Sequence, residues 1–274
     1  MISNDDGVAK HKEWVDGIYA KAKGDATDLW AEARTDEFGL RISNSRYADP
    51  TRRRTEEAAW RRIVRDGDRV LDCGCGTGFF IQRLRETLPD RHVEYHGLDL
   101  SSVALDFARR RLPDVPFVCA PAENMPYPDG HFDVVLIIAM LFESIDTANI
   151  FHEAARVLKP NGWLYVVVHK PFYDPFILPS VAIRLYQRLR HLPTESATIR
   201  PFRTRIAAEC AAAGFRRVER QPLIHAYEWG FWLLATPFLK NALLRFGRVI
   251  NRLPFSYCKN QEYWLLKNTG GAPQ

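Results

Sequence analysis

The sequence predicts an α/β fold in which a largely parallel sheet carries helices on both faces. From residue 69 onward, short apolar runs alternate with amphipathic stretches of about ten residues, a rhythm typical of consecutive strand–helix units. Connections of that length favour parallel pairing, because a parallel neighbour needs a crossover rather than a tight turn. Hydrophobic residues make up 46% of the 274 residues and charged residues 26%, which is ordinary for a globular chain with a full core.

Seven apolar runs bounded by turn residues are predicted as strands. In chain order they are RVLDCG (69–74), VEYHGLDL (93–100), PFVCA (116–120), FDVVLIIAM (132–140), WLYVVVH (163–169), RRVERQPLI (216–224) and QEYWLLKN (261–268). Four amphipathic stretches between them are predicted as helices. They are FFIQRLRETL (79–88), SSVALDFARRRL (101–112), DTANIFHEAARVL (146–158) and RTRIAAECAAAGF (203–215).

The chain divides into a leader and a main domain. Residues 1–55 are polar with scattered aromatic residues, and we expect a helical or partly irregular leader that covers part of the main domain. Residues 56–274 form the main domain, which two insertions interrupt at about 171–200 and about 228–257. Both are rich in aromatic residues, leucine, arginine and proline, and we expect helical lids there.

Composition also limits the expected location and partners of the protein. A net charge of +5 and a pI near 9.0 favour acidic ligands or an anionic membrane surface. Five cysteines without a paired framework indicate reduced thiols, and the N-terminus lacks the apolar core of a signal peptide. The apolar run WGFWLLATPFL falls short of the ~20 residues that a spanning helix needs. We therefore expect a cytoplasmic protein, with peripheral membrane contact left open.

The stretch VLDCGCGTGFF, residues 70–80, places three glycines where the first strand meets a helix. Glycines there let a ligand approach the backbone, and helix N-terminal amides attract negative groups. A phosphate loop would need G-x-x-x-x-G-K-[ST], which this stretch lacks. A dinucleotide loop would need G-x-G-x-x-G, so that interpretation is the runner-up to the tighter G-x-G-x-G found here. Cys73 and Cys75 are expected to face opposite sides and to pack the turn rather than bind a metal.

VLDCGCGTG resembles the first motif of class I S-adenosylmethionine-dependent methyltransferases, h-h-D-x-G-x-G-x-G. In that family the loop passes beneath the methionine part of the cofactor. The resemblance therefore implies that Asp72 and the loop backbone bind S-adenosyl-L-methionine. The loop residues are Gly74, Cys75, Gly76, Thr77 and Gly78. A carboxylate and exposed amides suit a ligand end that carries an ammonium, a carboxylate and a sulfonium.

Asp99 ends the second strand in the stretch HGLDLS. A carboxylate at that strand tip can accept hydrogen bonds from both ribose hydroxyls, and the resemblance assigns this role to Asp99, with Leu100 beside it. The alternative is that Asp99 only places a negative charge before the N-terminus of the next helix.

Three further stretches extend the resemblance. CAPAENMPYPDGHFDVV resembles gDAExLPFxDxxFD but has Pro121 where the family often has an aspartate, so the adenine contact would come from the backbone near Ala122 or from Glu123. FDVVLIIAMLFESID aligns with the fourth-strand motif and implies that Ile138 and Leu141 lie beside the cofactor.

EAARVLKPNGWLYVVV resembles ExxRVLKPGGxLxxx, with Asn161 in place of the first glycine. Asparagine tolerates a left-handed backbone, so this change is conservative. The resemblance covers about residues 60–220 and is strongest to the branch that contains ubiquinone, menaquinone and many small-molecule methyltransferases. It implies a Rossmann-like, doubly wound sheet of seven strands with an antiparallel last strand.

The resemblance implies methyl transfer from the sulfonium of S-adenosyl-L-methionine, for which an enzyme aligns the acceptor and excludes water. Oxygen or carbon acceptors often need a base as well. His169 follows the fifth strand and Glu143 the fourth, at the edge where open α/β sheets bind ligands. The alternatives are a packed or exposed strand-end histidine and a surface salt bridge of Glu143.

In this topology both insertions emerge at the cofactor edge and bring aromatic residues to its mouth. They are Phe172, Tyr173, Phe176, Trp229, Phe231, Trp232 and Phe238. We expect either a lid with its own small core or a pocket for a bulky apolar or aromatic small-molecule acceptor. A basic amphipathic stretch at residues 231–252 would instead suit a lipid-like acceptor at a membrane surface.

Two other kinds of function bound this expectation. The chain would bind nucleosides without turnover if its departures from the family motifs abolished catalysis. Nucleic acid is not expected as a partner, because AMLF stands where DNA amino-methylases carry their (D/N/S)-P-P-(Y/F/W) motif.

Overall fold

The computed structural model of the protein describes residues 50–138, 140–141, 146–169, 203–223 and 261–270, with short pieces at 8–9, 12–13, 16–17, 33–35 and 41–43. The two predicted insertions, at 171–200 and 228–257, lie outside the described residues.

Two short strands of the N-terminal leader pair with each other. β1 (Ala33–Thr35) and β2 (Arg41–Ser43) form an antiparallel ladder. Strands of three residues are too short to show an alternation of apolar and polar residues. The sequence therefore predicted a helical or irregular leader instead of this ladder. The predicted domain boundary between residues 55 and 56 lies inside the next element, helix α1 (Pro50–Ile63). The division into leader and main domain stays a prediction.

The remaining strands form one seven-stranded sheet. They are β3 (Arg69–Cys73), β4 (Glu94–Asp99), β5 (Phe117–Cys119), β6 (Phe132–Ile137), β7 (Leu158–His169), β8 (Phe215–Leu223) and β9 (Gln261–Asn268). Their order across the sheet is β5-β4-β3-β6-β7-β9-β8. Only β9 runs antiparallel, between β7 and β8, which confirms the predicted mostly parallel sheet with an antiparallel last strand.

Helices cover both faces of the sheet. Besides α1 they are α2 (Phe79–Thr87), α3 (Ser102–Arg111), α4 (Thr147–Val157) and α5 (Arg203–Ala212). The first three helices pack on the face that carries Val70 and Leu136, whereas α4 and α5 pack on the face that carries Leu71 and Val135. Neighbouring strand residues thus serve opposite layers, as strand alternation requires. Within the described residues, no helix is both long and apolar enough to cross a membrane.

Strand β7 begins earlier than the sequence predicted. It starts at Leu158 rather than Trp163, so the KPNG turn lies within the strand. The pairing with β6 is irregular there, because its register shifts between Phe132 and Val134. Asn161 has a φ of 61° and takes the left-handed conformation expected from its place in the motif.

Leu71 tests the packing of the central strand, since its side chain is fully buried between β3 and the α4–α5 layer. We expect Leu71→Ala to lower the free energy of unfolding by about 2–5 kcal/mol, because the surrounding side chains only partly refill the cavity. Urea denaturation followed by tryptophan fluorescence measures the change. Val218→Ala is the matched control, because Val218 on β8 is 48% exposed and its truncation should stay within about 0.5 kcal/mol. Equal losses in both variants would contradict this account of the core.

Candidate active site

Backbone hydrogen bonds tie the glycine loop to the end of the neighbouring strand. β3 ends at Cys73, and the N–H groups of Gly74 and Cys75 both donate to the carbonyl oxygen of Leu98 on β4, at 2.7 and 3.0 Å. The next amide, Gly76 N–H, donates to Asp99 Oδ2 at 2.8 Å. The loop and the carboxyl end of β4 therefore form one unit at the point where the strand order reverses.

Glycine is required where this unit is tightest. Gly74, Gly76 and Gly78 have φ angles of 78°, 52° and 76°, in the left-handed region that side chains disfavour. Gly97 on β4 has a different reason, because a Cβ there would lie 2.4 Å from the Phe117 ring and 2.9 Å from Cys75 Sγ. The sequence motif drew attention to the three loop glycines and gave no reason to expect the requirement at Gly97.

Asp72 lies one residue before the end of β3 and is 1% exposed. Among the described residues, neither of its carboxylate oxygens has a hydrogen-bond partner. Burial, and then the charge of Asp99, raise the pKa of Asp72 to about 8. A buried carboxylate without a partner is costly, and a cationic ligand beside it would relieve that cost.

Asp99 is held in place by the backbone on both sides. Its Oδ2 accepts from Gly76 N–H, and its Oδ1 accepts from Ser101 N–H at 2.9 Å. Burial raises the pKa of Asp99 despite these bonds. Each carboxylate oxygen has two lone pairs, so both can accept a further hydrogen bond from a ligand hydroxyl.

The N-terminal leader contacts the same corner, which the sequence did not reveal. Ser101 Oγ donates to Asp16 Oδ1 at 2.5 Å, and Lys12 Nζ donates to Asp16 Oδ2 at the same distance. Ser101 also caps α3 by accepting from Ala104 N–H at 3.2 Å. Because 85 residues separate Asp16 from Ser101, no local pattern carries this contact.

A second contact that the sequence missed fixes the outer side of the loop. Arg111, in the last turn of α3, donates from Nη1 to the Thr77 carbonyl oxygen at 2.8 Å and to Thr77 Oγ1 at 3.1 Å. In the sequence Arg111 is one of several basic residues at a helix C-terminus, a common surface pattern. The structure shows that it braces the loop.

The remaining predicted cofactor residues follow the strands β4, β5 and β6 in the chain. Glu123 accepts a hydrogen bond from the Asp146 backbone, and burial raises the pKa of its carboxyl group. Ala122 and Leu141 are buried in the layer below the sheet that includes α4 and α5, and Ile138 is buried in the opposite layer. Leu100 is partly buried next to Asp99, and its carbonyl accepts from Cys119 Sγ at 3.4 Å. Their roles toward a cofactor stay predictions.

Of the two candidate catalytic residues, the structure describes only the backbone of His169. His169 ends β7, where its backbone pairs with Gln261, and its side chain lies outside the described residues. Glu143 and the aromatic residues of both insertions also lie outside them.

The two loop cysteines face opposite layers, as expected, although strand alternation would place residues two apart on the same face. The reason is that β3 ends at Cys73 and the left-handed Gly74 turns the chain before Cys75. Cys73 packs with Leu71 beneath α4 and α5, and Cys75 packs in the layer of α1 to α3. Burial raises the pKa of both thiols, so they stay protonated and act as small apolar groups. The described cysteines, which also include Cys119 and Cys210, are unpaired.

Residues 71–166 match the family described as methyltransferase domain, and this span contains the glycine loop, Asp72 and Asp99. They form a class I S-adenosylmethionine-dependent methyltransferase domain.

Two curated relatives are similar to part of this chain. A fatty-acid O-methyltransferase of Mycolicibacterium smegmatis is 38% identical over 113 residues, which are 40% of this chain and 40% of that protein. A demethylmenaquinone methyltransferase of Thermotoga maritima is 35% identical over 100 residues, 36% of this chain and 43% of that protein. The chain spans about two fifths of the length of the curated relatives it matches.

A solved structure shares the fold over most of the chain. It is the geranyl diphosphate C-methyltransferase of Streptomyces coelicolor in complex with Mg²⁺, geranyl diphosphate and S-adenosyl-L-homocysteine. The TM-score is 0.60 at 14% identity, over 94% of this chain and 98% of that chain. At this identity the likeness supports the methyltransferase fold and carries no information on the acceptor.

The residues of the domain suit S-adenosyl-L-methionine. The buried, unpartnered carboxylate of Asp72 offers an acceptor to the ammonium at the methionine end. The second carboxylate, Asp99, is oriented by two backbone amides with lone pairs left for hydroxyl groups. One acidic site for a cation and one for a diol match the ammonium group and the ribose hydroxyls of this cofactor.

Asp72→Asn should change how stability depends on pH. In the wild type the unfolded-state carboxyl ionises near its ordinary pKa of 3.8, while burial raises the folded-state pKa so that the group holds its proton up to about pH 8. The wild-type free energy of unfolding therefore falls through that window by up to about 1.4 kcal/mol per pH unit, and the asparagine variant lacks this contribution. We expect the stability advantage of Asp72→Asn over the wild type to grow from pH 5 to pH 7.5, measured by urea denaturation. Asp106→Asn, on the exposed side of α3, is the control; an advantage for Asp72→Asn that does not change with pH would contradict the assignment.

Asp99→Ala should weaken cofactor binding, because it removes two acceptors for hydroxyl groups and the anchor of Gly76. Two lost hydrogen bonds to a charged group correspond to an affinity loss of about 100-fold or more for S-adenosylhomocysteine in isothermal titration calorimetry. Asp99→Asn keeps one acceptor oxygen and should fall between the wild type and Asp99→Ala. Unchanged affinity in both variants would show that Asp99 does not bind the ribose.

Proposed function

We propose that the whole chain is an S-adenosylmethionine-dependent methyltransferase that acts on a bulky apolar or aromatic small molecule, at an oxygen or carbon atom. The observation that carries the proposal is the buried, unpartnered carboxylate of Asp72, one residue before the end of β3 beside the loop of left-handed glycines. Without a cationic ligand this arrangement is destabilising, so its presence supports a binding role rather than a packing role.

The roles of the residues follow from their chemistry. Asp72 binds the ammonium group, the loop backbone lies beneath the methionine part, and Asp99 accepts from the ribose hydroxyls. Ala122 and Glu123 border the adenine, with Ile138 and Leu141 as apolar contacts. When bound, the cofactor supplies a sulfonium with a transferable methyl group, and the protein's task is to align the acceptor and exclude water.

His169 is the general base that we propose for an oxygen or carbon acceptor. It lies at the carboxyl end of β7, the edge of the sheet at which β3 and β4 present the loop and Asp99. A histidine side chain is a suitable general base for proton abstraction near neutral pH. Glu143 is the second candidate, from the segment that follows β6.

The nature of the acceptor is supported by the relatives and by the composition of the insertions. The names of the two relatives refer to a fatty acid and a demethylated menaquinone, each with a long hydrocarbon part. The insertions contain the aromatic residues Phe172, Trp229 and Trp232, and in the sequence they follow strands β7 and β8. We therefore favour an acceptor with a large apolar part, in the cytoplasm or at a membrane surface.

Calorimetry with S-adenosylmethionine and S-adenosylhomocysteine tests the cofactor, and methyl-labelled S-adenosylmethionine tests transfer. We expect both compounds to bind and label to enter the lipid fraction of a cell extract rather than the aqueous fraction. Asp99→Ala, assayed at the same protein concentration, should lose most of the transfer. His169→Ala should lose transfer while binding S-adenosylhomocysteine as the wild type does.

The outcomes separate the alternatives. If neither compound binds, the proposed function is wrong. If both bind and no label moves into either fraction, the chain is better described as a nucleoside-binding protein without turnover. Label in the aqueous fraction alone would contradict the apolar acceptor and leave methyl transfer in place.

A further inference from the structure

Three buried side chains on the α1–α2 side of the sheet carry hydrogen-bond donors without acceptors. We call Trp60, Arg83 and Tyr165 the donor cluster. Trp60 and Tyr165 are fully buried and Arg83 is 5% exposed. Among the described residues, Trp60 Nε1, Arg83 Nε, Arg83 Nη2 and the Tyr165 hydroxyl have no hydrogen-bond partner. Buried donors that miss an acceptor each cost free energy, so several in one place need an explanation.

The three side chains belong to one site. The Arg83 guanidinium carbon lies 5.0 Å from the centroid of the Trp60 ring, and the rings of Trp60 and Tyr165 are 6.1 Å apart. Tyr165 also stacks on Tyr263 at 5.2 Å, which holds its ring in place on β7. Burial, and then the charge of Glu56, raise the pKa of Tyr165, so its hydroxyl keeps a proton to donate.

The orientation of Arg83 is set from one side only. Its Nη1 donates to Glu56 Oε2 at 2.9 Å, and the same carboxylate accepts from Arg52 Nε at 2.8 Å through Oε1. Glu56 is therefore shared by two guanidinium groups. The opposite edge of Arg83, which presents Nε–H and Nη2–H in parallel, is the one without a partner. That edge is the one with which arginine binds a carboxylate through two hydrogen bonds.

The donor cluster lies beside the proposed cofactor site. Tyr165 pairs in register with Leu136, which pairs with Asp72, so Tyr165 and Asp72 occupy one row of the sheet about 10 Å apart. Tyr165 packs in the layer of α1 to α3, and Asp72 points to the same layer because its neighbours Leu71 and Cys73 point to the other. Arg83 follows Phe79, the first residue of α2, by about 6 Å along the helix axis.

We propose that the donor cluster binds a carboxylate group of a ligand, with Arg83 Nε and Nη2 as a two-pronged donor and Trp60 Nε1 and the Tyr165 hydroxyl completing the site. The inference rests on the proposed function and extends it. It assigns a carboxylate group to one of the two molecules, cofactor or methyl acceptor, that would bind at the carboxyl ends of the strands. That carboxylate belongs either to the methyl acceptor or to the methionine end of the cofactor.

Tyr165→Phe is the sharpest variant because it removes only the hydroxyl. If the hydroxyl serves a ligand, its removal should leave the melting temperature of the ligand-free protein unchanged or raised, because an unpaired buried group is lost. The same variant should bind the carboxylate about tenfold more weakly. A purely structural hydroxyl would give the reverse pattern, a lower melting temperature and unchanged binding.

Arg83→Met removes the charged fork and keeps an unbranched apolar stem against Trp60. Arg85→Met is its matched control, because Arg85 lies two residues on and pairs with Asp114 instead. We expect Arg83→Met to weaken carboxylate binding at least as much as Tyr165→Phe does, and Arg85→Met to bind as the wild type.

Two pairs of probes in isothermal titration calorimetry identify the source of the carboxylate. The first pair is decanoate against decan-1-ol, supported by acetate and hexanoate, on protein saturated with S-adenosylhomocysteine. The second pair is S-adenosylhomocysteine against its decarboxylated analogue, which keeps the ammonium. Selective loss of decanoate binding in both cluster variants assigns the site to the acceptor, and selective loss of S-adenosylhomocysteine binding assigns it to the cofactor.

The proposal is overturned if the variants weaken each probe and its uncharged or decarboxylated partner equally, or weaken none of them. If the wild type still binds S-adenosylhomocysteine in that case, the proposed function is not contradicted. Failure of the wild type to bind S-adenosylhomocysteine would instead remove the proposed function, and the carboxylate series on ligand-free protein would still decide the donor cluster.

Discussion

Three consecutive amides of the glycine loop, Gly74 to Gly76, bond to the end of β4, and the rest of the site depends on this attachment. It brings the carboxyl ends of β3 and β4 within one hydrogen bond of each other and aims the Asp99 carboxylate at the loop. The attachment leaves no room for a side chain at Gly97, where the Phe117 ring and Cys75 fill the space. A small change in that packing would therefore move the loop together with the Asp99 carboxylate that is bonded to it.

The site combines two kinds of incomplete bonding on one face of the sheet. Asp72 is a buried acceptor without a donor, and the edge of Arg83 is a buried donor without an acceptor. In a protein interior both are expensive, since neither group has water to replace the missing partner. Asp72 suits an ammonium group and Arg83 suits a carboxylate group. The two groups would belong either to one amino acid or to two different ligands. In both cases our proposal has the bound molecules supply the hydrogen-bond partners that the chain itself does not provide.

Much of this arrangement was predictable. The alternation of apolar runs and amphipathic helices predicted every strand of the large sheet. The placement of Cys73 and Cys75 in opposite layers depends instead on the left-handed turn at Gly74, since strand alternation alone would place them on one face. The motif predicted the left-handed backbone at Asn161. The ladder of β1 and β2 was not predicted because three residues are too few to show a strand pattern. The early start of β7 was not predicted because KPNG is a typical turn sequence.

By itself the sequence determined the order of the strands along the chain, the glycine loop and the class of the domain, because these depend on residues close together in the chain. Only the tertiary structure decided that Asp16 reaches Ser101, that Arg111 braces Thr77 and that Glu56 orients Arg83 beside Tyr165. In the sequence these residues form charged patterns typical of solvated helix surfaces. Which of them are buried, and which donors remain unpaired, follows from how α1, α2 and α3 pack on the sheet, and no local pattern encodes that packing.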